Sequence, residues 1–245
     1  MQDQVYGIRT VIEAINSGKN IDIVYVKENL KGDLASELFK TMKQRKVPFQ
    51  HVPLARINRK CNKNHQGVLA IVAPIEYYNL EDLVLNIFES GKQPLIVILD
   101  GITDVRNFGA IARTAECAAA DAIVIPDTNS VRITSDAIKA SAGALNKIPI
   151  CKEKNLNDAI ILLKQLGIKI VSCTEKTNET IYDFDVSAET PLAIVLGSEK
   201  SGISTKVLNQ SDAKIKIPIL GSISSLNVSV AAGIVLYEII RKRNL

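Results

Sequence analysis

Two stretches of the chain, residues 95–99 (LIVIL) and 192–196 (LAIVL), are apolar at every position. Apolar runs of this length without alternation predict strands buried on both faces, as in a parallel sheet. Residues 122–125, 148–151 and 168–172 read the same way, with helical segments between most of them. Residues 100–107 read as a loop and 108–120 as a helix of small side chains. Near the C-terminus Ile215 and Ile217 alternate with Lys214 and Lys216, which predicts a strand. Pro218 lacks a donor and ends it. A polar loop, residues 221–225, follows, and Ser225 or Asn227 can cap the next helix. From Leu226 onward nearly every residue is apolar, predicting a helix buried on most of its circumference. Taken alone, this stretch reads as an ordinary strand–turn–helix of a core. Two upstream stretches share its layout.

The first part of the chain alternates between the two periodicities. Ile8, Val11, Ile12, Ala14 and Ile15 have helical spacing, and Gly18 stops that helix. Residues 21–26, 48–52 and 68–72 read as strands, and 34–45 as a helix with Leu34, Leu38 and Met42 on one face. Residues 74–79 read as a linker. Asn79 caps a helix with Glu81 and Asp82 in its first turn, and Gly91 ends it. The division is therefore 1–75, a small α/β domain; 76–92, linker and entry helix; and 93–245, a parallel-sheet α/β domain.

Composition narrows the class. A hydrophobic content of 47% supports a substantial core, yet no run of about 18 apolar residues exists, so no membrane span is expected. The start, MQDQVYGIRT, lacks the pattern of a secretion leader. Cys61, Cys117, Cys151 and Cys173 are scattered, which points to free thiols in a cytoplasmic protein, with neither a metal site nor disulfides. Net charge is only +4, but residues 39–75 contain no acid. The same span holds Lys40, Lys43, Arg45, Lys46, Arg56, Arg59, Lys60 and Lys63, with both histidines, His51 and His65. A charge run is commonly a solvated face; one this free of acids favours a surface that tracks phosphates.

Three loops follow apolar strands: residues 100–109, 197–202 and 217–229. Loops at the carboxyl ends of parallel strands converge on a ligand crevice. Several sites are excluded. There is no GxGxxG, and GSEKSGIS has Ile203 where a phosphate-binding loop needs Lys. The second domain has no histidine for a Ser-His-Asp triad. Arg113 stands alone among Ala110, Ala112, Ala115 and Ala118. It reads either as half of a structural ion pair or as an anchor for an anion, with Glu199 a candidate partner that, taken alone, reads as a solvated loop acid.

The three loops together resemble the SpoU (TrmH) family of the SPOUT methyltransferases, through Asn107 to Arg113, Leu196 to Gly202, and Ile217 to Ser229 with its SSLNVS. The resemblance extends over the whole chain. VYGIRTV and HQGVLA match the family's ribosomal-protein-like substrate-binding domain. It implies an α/β fold with a deep trefoil knot, S-adenosylmethionine as cofactor, and 2′-O-methylation of ribose. It further implies a homodimer acting on a guanosine of large-subunit (23S) ribosomal RNA. The same chemistry on transfer RNA or another ribosomal site is the alternative, and a non-enzymatic RNA-binding assembly factor a third reading. Asn107, Arg113, Glu199, Ser225 and Asn227 match the family's catalytic positions, and Gly197, Ile217 and Leu226 its cofactor contacts. Arg56, Arg59, Lys60 and Lys63 are expected to hold RNA. A methyl donor of this kind is already activated, so the enzyme must position a poor nucleophile and remove its proton. Two routes stay open. Either Arg113 takes the proton, or it fixes a phosphate and stabilises the alkoxide while Glu199 or water takes the proton.

Overall fold

In a computed structural model that describes residues 4–243, the chain forms two compact units, Met1–Glu76 and Tyr77–Leu245. The first is a four-stranded sheet in the order β1-β4-β2-β3, built from Gln4–Tyr6 (β1), Ile21–Lys27 (β2), Phe49–Val52 (β3) and Val68–Val72 (β4). Helices Ile8–Asn16 (α1) and Asp33–Gln44 (α2) cover one face, where Val11, Ile15, Leu38 and Met42 pack on Val24, Val26 and Val68. The other face buries Tyr25, Leu69 and Ile71 beneath a short helix, Leu54–Asn58 (α3), through Ile57. Strand β1 and helix α3 are additions to the sequence reading.

The second unit is a seven-stranded sheet in which every pairing is parallel. Its strands are Tyr77–Tyr78 (β5), Leu95–Asp100 (β6), Ala122–Pro126 (β7), Ile150–Glu153 (β8), Lys169–Cys173 (β9), Leu192–Gly197 (β10) and Ala213–Ile215 (β11). The unbroken apolar runs of β6, β7 and β10 are buried on both faces, as a parallel sheet requires. The helices are Leu80–Glu89 (α4), Val105–Cys117 (α5), Ser135–Ala140 (α6), Leu156–Gln165 (α7), Thr205–Gln210 (α8) and Val228–Arg243 (α9). Asn79 caps α4 as expected, accepting from the Asp82 N–H at 3.0 Å. The expected linker is shorter than 74–79, because Tyr77 and Tyr78 pair with Ile150 and Cys151 at the sheet's edge.

The order β11-β9-β10-β6-β7-β8-β5 places the reversal of direction between β6 and β10. In such sheets the ligand crevice lies at the carboxyl ends of the strands beside that point. Two expectations change here. Helix α5 begins at Val105, not 108, because Asp104 Oδ1 accepts from the N–H groups of Arg106 and Asn107, both at 2.9 Å. Helix α9 buries a stripe, Val228, Ala232, Val235, Leu236 and Ile239, and not most of its circumference. Val230 and Tyr237 are exposed.

The connection from β9 to β10 bends around the C-terminal segment. Ile215 accepts from the Thr174 N–H at 2.8 Å, while Lys216 donates its N–H to Glu179 and accepts from Ile181, both at 2.9 Å. The backbone there is held on both edges by the same connection. The end of α9 grips that connection again: Lys242 Nζ donates to the carbonyls of Tyr182 and Phe184, and Arg243 to that of Thr190 and also to that of Pro94, just ahead of β6. Burial lowers the Arg243 guanidinium from its usual range, with Asp121 opposing.

Candidate active site

Three strand ends meet at the crevice. The turn after β10 is tight: Gly202 donates its N–H to Ser198 at 2.8 Å and sits at φ +65°, and Ser201 and Ser198 share a hydroxyl hydrogen bond of 2.7 Å. Gly197 has no room for a side chain, since a Cβ there would overlap the backbone of Gly202 and Ile203. Gly197→Ala is therefore expected to force the turn open, at a cost of about 1–3 kcal/mol. Chemical denaturation of the variant measures this.

That turn aims Glu199 at two other elements. Its Oε1 accepts from Asn227 Nδ2 at 2.7 Å, from Asn107 Nδ2 at 3.2 Å and from the Val228 N–H at 3.5 Å. Asn227 also donates to Asn107 Oδ1 at 3.0 Å, closing a ring of three side chains. Asn227 is the cap of α9, with its Oδ1 accepting from the Ser229 N–H at 2.9 Å. One carboxylate thus ties together the starts of α5 and α9 and the turn after β10.

Beside this ring lies a cavity of about 470 Å³. Gly197, Glu199, Ile217, Ser225 and Leu226 line it, five of the eight residues expected to act or to bind cofactor. Asn107 and Asn227 adjoin it through Glu199. Arg113 is placed elsewhere. It is exposed, six residues further along α5 and so about 9 Å down its axis from Asn107. The Arg113–Glu199 pair weighed as one alternative does not form: among the described residues the donors to Glu199 are the two asparagines and a backbone N–H.

The sequence reading missed Cys173, Thr174 and Glu175, which also line the cavity from the end of β9. The rule that loops at carboxyl ends converge covers this strand too, so the signal was present. Burial, then Glu175, pushes the Cys173 thiol up to about 11, which keeps it protonated at neutral pH and a poor nucleophile. Among the described residues no group of three or more His, Cys, Asp or Glu side chains is placed to hold a metal ion. No described helix is long and apolar enough to cross a membrane.

In the first unit Arg56, Arg59, Lys60 and Lys63 are exposed, on α3 and just beyond it. Arg56 and Lys60 lie over the Tyr25 ring, 5.5 and 5.6 Å from its centroid, and Lys63 over Tyr6 at 5.4 Å. Tyr6 and Tyr25 both pair with Leu69, so they form one row across the sheet beneath these cations. His65 accepts from the Gly67 N–H at Nδ1, 3.0 Å, so its proton sits on Nε2, facing Asn58 Oδ1 at 2.8 Å. This pins the basic loop to the end of α3.

Residues 94–237 match the SpoU rRNA Methylase family. The chain belongs to that family. Residues 4–78 match the module described as RNA 2′-O ribose methyltransferase substrate binding. The protein is accordingly an RNA 2′-O ribose methyltransferase of the SpoU/TrmH family. A protein of Staphylococcus epidermidis named as a TrmH family tRNA/rRNA methyltransferase is 38% identical over 240 residues, 98% of this chain and 96% of that one. The AdoMet-bound rRNA methyltransferase of Sinorhizobium meliloti shares the fold, with a TM-score of 0.62 and 23% identity over 97% of this chain and 86% of that one. The TrmH/SpoU tRNA modifying enzyme of A. aeolicus aligns with a TM-score of 0.56 and 28% identity, over 67% of this chain and 84% of that one.

Proposed function

We propose that this SpoU-family enzyme uses S-adenosylmethionine to methylate the 2′-hydroxyl of a guanosine ribose in large-subunit ribosomal RNA. The observation that carries the reading is the ring of Asn107, Glu199 and Asn227 beside a cavity lined by Gly197 and Glu199. The cavity's volume of about 470 Å³ falls within the range of about 300–1,000 Å³ typical of small-ligand sites. Leu196, Ile217 and Leu226 offer apolar walls for a flat adenine, and Thr174 and Glu175 offer acceptors for hydroxyl or ammonium groups. When bound, the cofactor supplies a methyl group on a positively charged sulfur. The protein's own residues do the rest. Glu199 holds Asn107 and Asn227 in place, and Ser225 faces the cavity to orient the ribose. Arg113 reaches the reacting ribose through the RNA phosphate or across to a second copy of the chain. Calorimetry should detect cofactor binding, with activity unaffected by a metal chelator. Absence of binding at millimolar cofactor contradicts the reading.

The exposed stripe of α9 supports a homodimer. Val230 and Tyr237 lie seven residues apart on one side of the helix, and both are more than half exposed. Sedimentation at micromolar concentration is expected to give a dimer, and a monomer counts against it. The backbone ties that hold Ile215 and Lys216 inside the β9–β10 connection support a knotted C-terminus, the trefoil of this family.

The choice of ribosomal over transfer RNA rests on the first unit's resemblance, through VYGIRTV and HQGVLA, to a ribosomal-protein-like module, and its cations give that unit a grip on RNA. Its cations are held over tyrosines, ready to meet phosphates. The C-terminal cations are otherwise engaged: Arg241 pairs with Glu238 at 2.8 and 2.9 Å, and Lys242 and Arg243 hold backbone carbonyls. Neutralising Arg56, Arg59, Lys60 and Lys63 together should weaken RNA binding and flatten its salt dependence by about 0.7–0.9 per lost contact. Cofactor affinity should not change. Equal affinity and slope in the fourfold variant would place the RNA on another surface. A chain beginning at Tyr77, which keeps β5, should still bind cofactor yet lose most methylation of the natural RNA.

A further inference from the structure

The outer strand of the first unit carries two exposed aromatic side chains that neither the core nor the proposed chemistry uses, backed by Phe39 of α2, which packs against the core. Phe49 and His51 of β3 pair with Val24 and Val26, so both point to the sheet face covered by α1 and α2. They reach past that cover. Phe49 is 44% exposed and His51 is exposed, while Phe39 of α2 closes the group from the helix side. The three rings lie within 5.6–5.7 Å of one another, with Phe39 tilted to both and Phe49 edge-on to His51. Among the described residues strand β3 pairs only with β2, so the cluster sits at the sheet's edge. Natural sheets usually blunt such an edge with charge. Here two exposed aromatic side chains occupy it.

The surroundings decide what fits. Lys40 and Lys43 follow Phe39 on α2, and Arg45 and Lys46 form the turn that leads to Phe49; all four are exposed. No acid occurs between Phe39 and Ile75. Exposed rings in a field of cations suit the flat faces of unpaired bases whose phosphates are attracted nearby. A duplex keeps its bases stacked and offers the rings nothing. Arg56 and Lys60 lie over Tyr25, on the opposite face of the same sheet, so the edge strand divides the two patches.

We propose that Phe39, Phe49 and His51 form a base-stacking platform for unpaired nucleotides of the RNA substrate. The platform selects for a loop or bulge, while the cations over Tyr6 and Tyr25 supply phosphate affinity. The proposal rests on the RNA reading above and adds the class of RNA structure recognised.

The test is a fluorescence titration of the full-length chain with a short single-stranded oligoribonucleotide carrying 2-aminopurine, and with the same sequence closed into a duplex. The wild type is expected to quench 2-aminopurine in the single strand. Phe49→Leu keeps apolar bulk and removes the ring; it should weaken single-strand binding about tenfold. Duplex binding and the salt slope should stay unchanged, because no charge is lost. Phe49→Tyr should bind like the wild type. Wild-type affinity in Phe49→Leu overturns the platform and leaves the surface to a protein partner. Equal weakening on single strand and duplex also overturns it, since stacking would not be the cause. Failure of the wild type to bind either RNA in a salt-dependent way overturns the RNA reading itself, a result distinct from the other two.

Discussion

Arg113→Ala is expected to lower turnover about a hundredfold or more while leaving cofactor affinity intact. The side chain is exposed and lies outside the cavity lining, so its removal disturbs neither packing nor the cofactor site. Its guanidinium suits a phosphate or a developing alkoxide, and losing one such donor typically costs about 10²–10³ in rate. Arg113→Lys should recover little, because a point charge cannot reproduce a planar two-pronged contact. Single-turnover rates with saturating cofactor separate the chemical step from binding. Near wild-type turnover in the Lys variant would show that the planar fork is unnecessary.

Glu199→Ala should be comparably damaging for a different reason. Among the described residues, the carboxylate oxygen that accepts from Asn107, Asn227 and the Val228 N–H is the one group joining all three. Removing it takes the acceptor from Asn107 Nδ2 and from one of the Asn227 N–H groups, and releases the start of α9 from the turn after β10. Glu199→Gln separates the two roles considered for this residue. Its carbonyl can still accept these hydrogen bonds, though bonds to a neutral acceptor have roughly half the strength. If Glu199 only positions its neighbours, the Gln variant should keep a substantial part of the rate. If Glu199 removes the ribose proton, Gln and Ala should fail alike. The pH profile of the Gln variant supplies the second readout.

The parallel strands were legible because a buried strand of this class announces itself as an unbroken apolar run, as in residues 95–99 and 192–196. Strand β5 and helix α3 escaped because they are only two and five residues long, too short to show a period. The start of α5 was misplaced because its cap is Asp104, four residues upstream of the first buried ring, Phe108. At α9 periodicity could not help: apolar residues on all sides predict full burial, yet a single chain covers only one stripe. The partner of Glu199 was the hardest to foresee. Asn227 and Asn107 are 28 and 92 residues away in sequence, and only the strand order brings them together. A charge rule offered Arg113 or water, whereas the chain satisfies Glu199 with amides.

The most direct test of the central claim is a comparison of ribosomal and transfer RNA from cells with and without this chain by alkaline fragmentation. A methyl group on the 2′-oxygen protects the adjoining phosphodiester from cleavage. The account predicts protection at a guanosine of large-subunit ribosomal RNA, lost when the chain is absent and restored by the wild type but not by Arg113→Ala. Protection that changes only in transfer RNA would overturn the choice of substrate. A methyl group on a base, with every ribose unchanged, would contradict the chemistry.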